Sequence, residues 1–452
     1  MARRILLKGR LGVVRLLVAL TGAASASYGA GAAADGPVVE IVTAFSPTVV
    51  PLPADQEFTG NGLITQFFGK NTGPLEYAVH LNVRGAYDDN IAFTHTNRLD
   101  DNYVQIQPSL MLGIGDVVTT ETFLAAIYAP SFYRYDDHDE FDSDQHVVRV
   151  IGGIKSGNLI LRLTQDVSLL NNIVLAASSS ERSAVGAING RTDLDIYNTK
   201  LAANYNMTPN DFLFSELKMN RTEYADPLVS SELYAFDLYL NHGFSQALVL
   251  GVGVEGGYNT VGFPTPNLSL VQDAPDQALV QANGHLRFQP NERFALDVIA
   301  GAEFRNFKTS SRVIARRSYS TPVFSVSASW LPFDSTRIIF GATREVYNSA
   351  AQTAQDYVDT NLSATIRQRL CQQLYFIVLG GYEHVDYFNT IDTPVPLPTL
   401  SDDYFYVQPS LDILLTRFWS LGGYYLRREN YGSISTVGFY SNEYGVRTSI
   451  KF

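Results

Sequence analysis

Apolar and polar residues alternate with a period of two from Leu75 to the end of the chain. In the first such segment, Leu75, Tyr77 and Val79 fall on one face, whereas Glu76 and His80 fall on the other. The same period recurs over residues 159–167, 213–219, 234–240, 248–254, 296–304, 358–366, 374–382 and 443–452. Because successive side chains of a strand point to opposite faces, these segments predict two-faced β-strands. A fold made of such strands must offer every strand one apolar and one polar environment.

The connections between these strands are of two kinds. Short turns occur at residues 115–116, 156–158, 208–210, 243–245, 290–292, 332–334, 369–371 and 416–417. Long polar connections occur at residues 88–101, 134–145, 169–191, 222–230, 259–276, 306–318, 347–356, 386–402 and 428–441. Eight short turns on one side, with both chain ends on that side, predict about 18 strands (16–18), and single-chain bacterial barrels have even strand numbers. Short turns opposite long loops are typical of a transmembrane β-barrel whose long loops face outward.

Composition favours lipid as the environment of the apolar faces. Charged residues make up 17% of the chain, against about 25% in ordinary soluble proteins, and aromatic residues make up 12%. A soluble β-sandwich is the alternative, but each apolar face would then have to meet a second sheet. We therefore predict an all-β fold, a transmembrane antiparallel up-and-down β-barrel over residues 73–452, located in the bacterial outer membrane.

Charge, cysteine content and hydropathy argue against other classes of protein. The formal net charge of −12 speaks against nucleic acid as a partner, because binding phosphates requires a basic surface. The single cysteine, Cys371, excludes a disulfide framework and a thiolate metal cluster. No uncharged apolar run reaches the length of about 18 residues that a membrane-spanning helix needs.

The amino terminus has the pattern of an export signal. A basic segment with Arg3, Arg4 and Lys8 precedes a short apolar stretch and several small-residue cleavage sites. We predict a signal peptide over residues 1–34, with a disordered basic tail as the alternative because a charge interrupts the apolar stretch. Residues 35–72 contain prolines without a sustained period and are predicted to form a linker or a periplasmic or lumenal segment.

The first predicted hairpin resembles a known family. The sequences YDDNI at 87–91, DDNY at 100–103 and QPSL at 107–110 are similar to the first hairpin of an outer-membrane β-barrel porin family that often accompanies exopolysaccharide systems. The resemblance covers this hairpin only. It implies a barrel in the outer membrane and components of polysaccharide export as partners, and it supplies no catalytic or ligand-binding residue.

The last strand resembles the assembly signal of bacterial outer-membrane barrels. Tyr444, Val446, Ile450 and Phe452 share one face, and the strand ends in a terminal phenylalanine. This resemblance implies the barrel-assembly machinery, outer-membrane lipid and lipopolysaccharide as partners.

Closure of a barrel requires the first and last strands to pair. If residues equally far from the two strand ends become neighbours, opposite charges meet near both ends of this pairing. Two prolines, Pro108 and Pro409, lie on apolar faces of other strands, where we expect a bulge or a local weakening of the sheet. The expected closure pairs are Lys451 with Glu76, Arg447 with His80, and Glu443 with Arg84.

The polar faces of the strands are predicted to line the lumen. They carry charges of both signs, which indicates a wettable interior without a selectivity ring of one sign. A barrel of 16–18 strands normally leaves an aqueous channel. The predicted lumen-lining residues are Glu76, His80, Arg84, Arg162, Asp166, Glu216, Lys218, Asp297, Glu303, Arg305, Asp359, Arg367, Glu443, Arg447 and Lys451.

The sequence contains no motif that indicates an enzyme or a cofactor. Gly251, Gly253 and Gly256 match the dinucleotide-binding fingerprint, but prolines follow them where a helix is needed, so glycines on a strand are expected. An acidic loop offers a weak divalent-cation site, with a hydrated loop as the favoured interpretation. Its residues are Asp136, Asp137, Asp139, Glu140, Asp142 and Asp144.

These features together predict a passive outer-membrane channel for small hydrophilic solutes or for the export of a glycan polymer. The alternative is a structural or adhesive surface barrel that has a plugged lumen and acidic ligand-binding loops. The width of the lumen discriminates between the two hypotheses, because only a channel needs an open path.

Overall fold

A computed structural model describes residues 75–115, 122–174, 191–225, 228–262, 274–308, 315–350, 355–392, 400–416, 418–433 and 438–451. The signal peptide expected at 1–34, the segment expected at 35–72 and the terminal Phe452 lie outside these residues and stay predictions. None of the helical residues within the described ranges forms a helix long and apolar enough to cross a membrane.

The described chain is almost entirely β-structure. A single 3₁₀ turn, Asp139–Phe141, accompanies the strands in these ranges. The strands are β1 (Leu75–Asp88), β2 (Asp101–Gly115), β3 (Phe123–Tyr135), β4 (Ser143–Ser156), β5 (Leu159–Val174), β6 (Arg191–Asn206), β7 (Asp211–Tyr224), β8 (Ser230–Ser245), β9 (Leu248–Gly262), β10 (Gln277–Asn291), β11 (Phe294–Phe307), β12 (Ser318–Phe333), β13 (Thr336–Asn348), β14 (Gln355–Arg369), β15 (Leu374–Asn389), β16 (Ser401–Thr416), β17 (Trp419–Gly432) and β18 (Phe439–Lys451).

These eighteen strands form one closed antiparallel sheet. Each strand pairs with its neighbours in the sequence, and β1 also pairs with β18. The connections that follow even-numbered strands have two to four residues, except for the seven between β2 and β3, whereas those that follow odd-numbered strands have five to sixteen. The predicted antiparallel up-and-down barrel of about 18 strands is therefore confirmed, as is its division into a short-turn end and a long-loop end. We call the end with the long connections the outer end.

The two faces of the barrel wall differ in polarity. On β2, Val104 and Leu112 point outward and are 47% and 45% exposed, whereas Gln105 and Gln107 point inward and are each 2% exposed. Every one of the eighteen strands exposes at least one large apolar side chain in this way. We call this ring of exposed apolar side chains the outer belt. The barrel is thus apolar outside and polar inside, the reverse of a soluble protein.

Two prolines interrupt the sheet locally. Pro108 faces outward in β2, and the ladder from β2 to β3 has pairs on either side of residues 107–109 but none across them in the described register. The ladder from β16 to β17 likewise skips Gln408 and Pro409. The register is the same on both sides of each gap, so these sites are weakened ladders and not bulges. Proline has no backbone N–H to donate, which accounts for the gaps.

The closure between β1 and β18 has a different register from the expected one. Lys451 lies opposite His80 and Glu443 lies opposite Asp88, a shift of four residues. Lys451 therefore pairs with His80, and the expected pair of Glu76 with Lys451 is wrong. The expectation assumed level strand ends, whereas the strands of a barrel are tilted and staggered.

Of the two other expected closure contacts, the one between Arg447 and His80 is wrong and the one between Glu443 and Arg84 is present. Arg447 lies opposite Arg84 and not near His80, and its guanidinium binds Asp412 at 2.7 Å. Glu443 does approach Arg84, because the two side chains meet diagonally across the ladder at 3.6 Å.

The barrel wall departs from a regular cylinder between β12 and β13. Pairing of these strands stops at Phe324 and Arg344, although both strands continue toward the outer end. Even-numbered residues nearer the short-turn end of β13 and β14, such as Phe340 and Leu362, are exposed on the outward face. Beyond residue 344, however, Val346, Asn348 and Asp356 form hydrogen bonds with residues on the inner face of β9 to β11. Residues 344–348 of β13 and 356–358 of β14 therefore fold into the lumen, and we call them the inserted hairpin.

Side-chain and backbone contacts fix the inserted hairpin. Asn259 of β9 donates a hydrogen bond to Asn348 of the hairpin. Gln277 Nε2 of β10 donates to Asp356 Oδ2 at 2.6 Å. Arg305 Nη2 of β11 donates to the Val346 carbonyl at 2.7 Å. On the outward face, Asn348 and Asp356 would lack such partners, and burying polar groups without partners is costly.

The outer belt leads to a prediction for Val254, which is 53% exposed at the middle of β9. If this face meets lipid, Val254→Arg should lower the free energy of folding into a bilayer by about 2–4 kcal/mol. Val254→Leu, which keeps the apolar contact, should change it by less than about 1.5 kcal/mol. Equilibrium denaturant titration in lipid vesicles measures both values. Equal effects of the two variants would show that the outward face does not meet hydrocarbon.

Candidate functional site in the barrel interior

The structure distributes the predicted lumen-lining residues along the inner wall. Those that are largely buried are His80, Asp166, Glu216, Glu303, Arg305, Asp359, Glu443 and Arg447. Those of intermediate exposure are Arg84, Arg162, Lys218, Asp297 and Arg367. Lys451 is exposed at the end of β18, and Glu76 is described by its strand position only. The structure gathers some of these residues into two groups, one beside the inserted hairpin and one at the closure.

The first group surrounds Lys218 of β7. Its ammonium group forms ion pairs with Asp237 of β8 and, at 3.2 Å, with Glu255 of β9. All three side chains are largely buried. A buried charge requires a paired partner, so Lys218 and the two carboxylates compensate one another across three strands.

A second ionic arrangement lies beside it on β11. The Arg305 guanidinium pairs with Glu303 and donates to Gln277 Oε1 at 2.7 Å. Glu303 also accepts a hydrogen bond from Gln281 Nε2 at 2.6 Å. Arg305 thereby ties its own strand to β10 and, through the Val346 carbonyl, to the inserted hairpin.

A cavity of about 180 Å³ separates the inserted hairpin from the wall formed by β6 to β12. Lys218, Glu255 and Arg305 line it together with Arg344 of the hairpin. Toward the outer end of the barrel, a backbone hydrogen bond of 2.7 Å from Val229 N to the Ala350 carbonyl links the β7–β8 connection to the β13–β14 connection. The lumen therefore contains a narrow cavity with polar and apolar lining in the region of β6 to β14.

The second group, which we call the seam cluster, lies at the closure and comprises Arg84, Asp88, Tyr103, Tyr424, Arg428 and Glu443. Glu443 accepts hydrogen bonds from Tyr103 Oη at 2.7 Å and from Tyr424 Oη at 2.5 Å. Arg428 Nη2 lies 2.9 Å from Glu443 and 2.6 Å from Asp88. The cluster joins β1, β2, β17 and β18 through buried charge-assisted hydrogen bonds.

Aromatic rings surround the seam cluster. The Arg84 guanidinium lies over the rings of Tyr103 and Tyr424, 5.4 and 5.7 Å from their centroids. Arg428 lies 4.6 Å from the ring centroid of Phe93, which belongs to the β1–β2 connection. The β1–β2 connection thus reaches into the interior at the outer end of the barrel, where a cation–π contact holds it.

The glycines that resemble a nucleotide fingerprint lie on strand β9, as expected. A side chain at Gly253 would collide with the ring of Tyr239 on β8, and one at Gly251 would collide with Asn241. These glycines are explained by close packing of inward-pointing neighbours.

The acidic loop does not form a metal site in the structure. Within the described ranges, no three His, Cys, Asp or Glu side chains converge as a group that could hold a metal ion, and this holds for all six acidic loop residues. Asp142 and Asp144 instead pair with Arg134 of β3, and Asp142 accepts a hydrogen bond from the Tyr135 N–H. The geometry gives no support to the weak divalent-cation site, which the sequence analysis treated as the less favoured interpretation of this loop.

Asp101 organises this loop, although its local sequence gives no sign of this role. Its carboxylate accepts hydrogen bonds from the N–H groups of Asp137 at 3.1 Å and His138 at 3.0 Å. Burial favours the neutral acid, but these N–H groups and the His138 ring outweigh it and hold the pKa of Asp101 below its usual range. The residue lies at the outer end of β2, beyond the outer belt.

The alternation would have placed other missed interior residues on the correct face. Asp237 and Glu255 occupy inward positions of β8 and β9. Arg344, Asn348 and Asp356 depart from the alternation. They place polar groups on a face that is apolar nearer the short-turn end of the same two strands. That break in the pattern marks the inserted hairpin.

No protein-family model and no curated protein matches this sequence. Among solved structures, the siderophore receptor PirA from Pseudomonas aeruginosa is 10% identical with a TM-score of 0.39, and the match covers 83% of this chain and 80% of that one. OccAB4 from Acinetobacter baumannii is 11% identical with a TM-score of 0.41, covering 83% and 98%. A bacterial polysaccharide outer membrane secretin is 8% identical with a TM-score of 0.31, covering 83% and 97%. These likenesses do not bear on function.

The seam cluster predicts a large effect for Glu443→Leu. The change leaves the buried guanidinium groups of Arg84 and Arg428 without this carboxylate and should cost about 3–5 kcal/mol of folding free energy. Glu429→Leu is the matched control, because Glu429 pairs with Arg427 in a more exposed position and should cost about 0–1 kcal/mol. Denaturant titration of the refolded barrels compares them, and similar costs would refute a closure that depends on the cluster.

The lowered pKa of Asp101 predicts pH-dependent ordering of the acidic loop. The stabilisation is fully present above the usual carboxyl pKa of about 3.9 and is lost as the pH falls through the lower folded-state value. Asp101→Asn should reduce the hydrogen-exchange protection of the Asp137 and His138 amides about tenfold at pH 7. Asp100→Asn, at a neighbouring exposed carboxylate, serves as the control. Unchanged protection in Asp101→Asn would contradict the role of Asp101.

Proposed function

We propose that this chain is an outer-membrane β-barrel that lets small hydrophilic solutes cross the membrane. The observation that carries the proposal is the inverted polarity of a closed barrel. Large apolar side chains are exposed on every strand, whereas ionic groups such as Lys218, Arg305 and Glu443 are buried inside. An outer belt of this kind is stable in contact with lipid. A polar barrel interior then offers hydrophilic solutes a path across the membrane.

The inserted hairpin favours small solutes over a glycan polymer. It occupies the outer part of the lumen and leaves a cavity of about 180 Å³ beside the wall of β6 to β12. A chain segment that lies across part of the lumen obstructs an extended polymer more than it obstructs a small solute. Polymer export is therefore the less favoured form of the proposal.

The hairpin also supports a second candidate, a structural or adhesive barrel with a plugged lumen. Bridges between connections at the outer end favour it, including the backbone hydrogen bond of 2.9 Å from Arg316 N to the Thr390 carbonyl. In this alternative the inserted hairpin would be a permanent plug and the acidic loop would contact ligands.

Either candidate implies the same surroundings. We propose outer-membrane lipid and lipopolysaccharide around the outer belt, and the barrel-assembly machinery as the reader of the last strand. Tyr444 and Val446 support this, because both are exposed on the outward face of β18. Polysaccharide export components remain proposed partners on the family resemblance alone.

Shortening the inserted hairpin tests the proposal. The refolded full-length protein should admit small sugars into liposomes above the rate of lipid alone. Replacing residues 345–357 with a short Gly-Ser turn should increase this flux several-fold, because it removes the part of the chain that fills the outer lumen. Liposome swelling in isosmotic sugar solutions measures the rate.

A variant shortened at residues 136–142 controls for general loosening of the outer connections and should behave like the unaltered protein. If neither the unaltered nor the hairpin-shortened barrel raises flux above the lipid background, the channel is refuted and the structural alternative stands.

A further inference from the structure

The cavity beside the inserted hairpin has the size of a site for a small solute. Its volume of about 180 Å³ is far above the roughly 10–15 Å³ that a single water requires. The inner face of β6 to β12 forms one wall, and residues 344–348 of β13 with Tyr357 of β14 form the other. The cavity is therefore built by the folding of the hairpin into the lumen.

The charged side chains that line this cavity are of both signs, with Lys200, Lys218, Arg305 and Arg344 as cations and Glu255, Glu303 and Glu345 as carboxylates. Lys218 is paired with Asp237 and Glu255, and Arg305 is paired with Glu303. A cationic solute would meet the lysine and arginine groups, and an anionic solute would meet the carboxylates. Because neither sign dominates the lining, the electrostatics favour an uncharged occupant.

Several lining polar atoms have no hydrogen-bond partner within the protein. These are the side-chain oxygens of Asn259 and Asn283 and the Nε atom of Arg344. Both asparagines are 6% exposed. Buried polar groups are almost always hydrogen-bonded, and an occupant that both donates and accepts hydrogen bonds would complete the hydrogen bonding of these atoms. Hydroxyl groups do both.

The cavity also has an apolar part, formed by Leu279, Ile299 and Val323. An occupant that satisfies the whole lining must therefore carry hydroxyl groups and apolar C–H faces without a net charge. We propose that this cavity binds an uncharged polyhydroxylated solute of monosaccharide size. The proposal deepens the proposed channel function, on which it rests, by naming the class of solute.

Binding is tested on the full-length barrel in a detergent without sugar headgroups, with saturation-transfer NMR. The probes are glucose, choline as the cation and gluconate as the anion. Glucose should bind more strongly than either charged probe. Asn259→Leu and Asn283→Leu should each weaken glucose binding about 3- to 10-fold, the effect of one lost hydrogen bond. Thr260→Val, at the outward-facing neighbour of Asn259, should leave it unchanged.

A nearly isosteric variant guards against misfolding of the leucine variants. Asn259→Asp adds one negative charge to the lining and should shift preference from glucose toward choline. Stronger binding of choline or gluconate than of glucose to the unaltered barrel would overturn the proposal. Glucose binding that survives both leucine variants would also overturn it.

Liposome flux separates this proposal from the channel itself. Glucose flux through the barrel without detectable glucose binding would reject the cavity site and retain the channel. Glucose binding that the asparagine variants weaken, without flux even after the hairpin is shortened, would reject the channel and retain the site.

Discussion

The hydrogen-bonded closure of β1 on β18 is the constraint on which the rest of the structure depends. In the proposed membrane setting, hydrocarbon offers no partner to a backbone N–H or C=O, so an open sheet edge would leave a row of unsatisfied groups. The seam cluster lies at this closure. Glu443 and Arg428 connect the first two strands to the last two with buried hydrogen bonds, which reinforces the joint between the first and last strands.

Closure with the apolar faces outward obliges the interior to accommodate ionic groups. Paired lysine, arginine and carboxylate side chains solve this problem between neighbouring strands, as Lys218 does with Asp237 and Glu255. The inserted hairpin solves it differently, because Asn348 and Asp356 gain partners on β9 and β10. The position of the inserted hairpin fills the outer part of the lumen and creates the cavity. The packing of these polar groups therefore also sets the width of the proposed solute path.

Much of the fold followed from local patterns. The period of two assigned Tyr77 and His80 to opposite faces, and Tyr77 is exposed whereas His80 is buried, because alternation is a property of each strand by itself. The register of the closure could not be obtained in this way. Lys451 lies opposite His80 and not Glu76, since stagger depends on the tilt of all the strands around the barrel. Asp101 escaped notice because its partners, the N–H groups of Asp137 and His138, arrive from another connection.

The sequence by itself determined the number of strands, their two faces and the division into short turns and long connections, because these depend on residues close together in the chain. Only the tertiary structure decided which charges meet across the interior and that residues 344–348 leave the wall beside β12. Arg344, Asn348 and Asp356 mark that departure as polar residues on an otherwise apolar face. Their destination depends on partners on β9 to β11, which the sequence does not place beside them and which only the closed barrel brings within hydrogen-bonding distance.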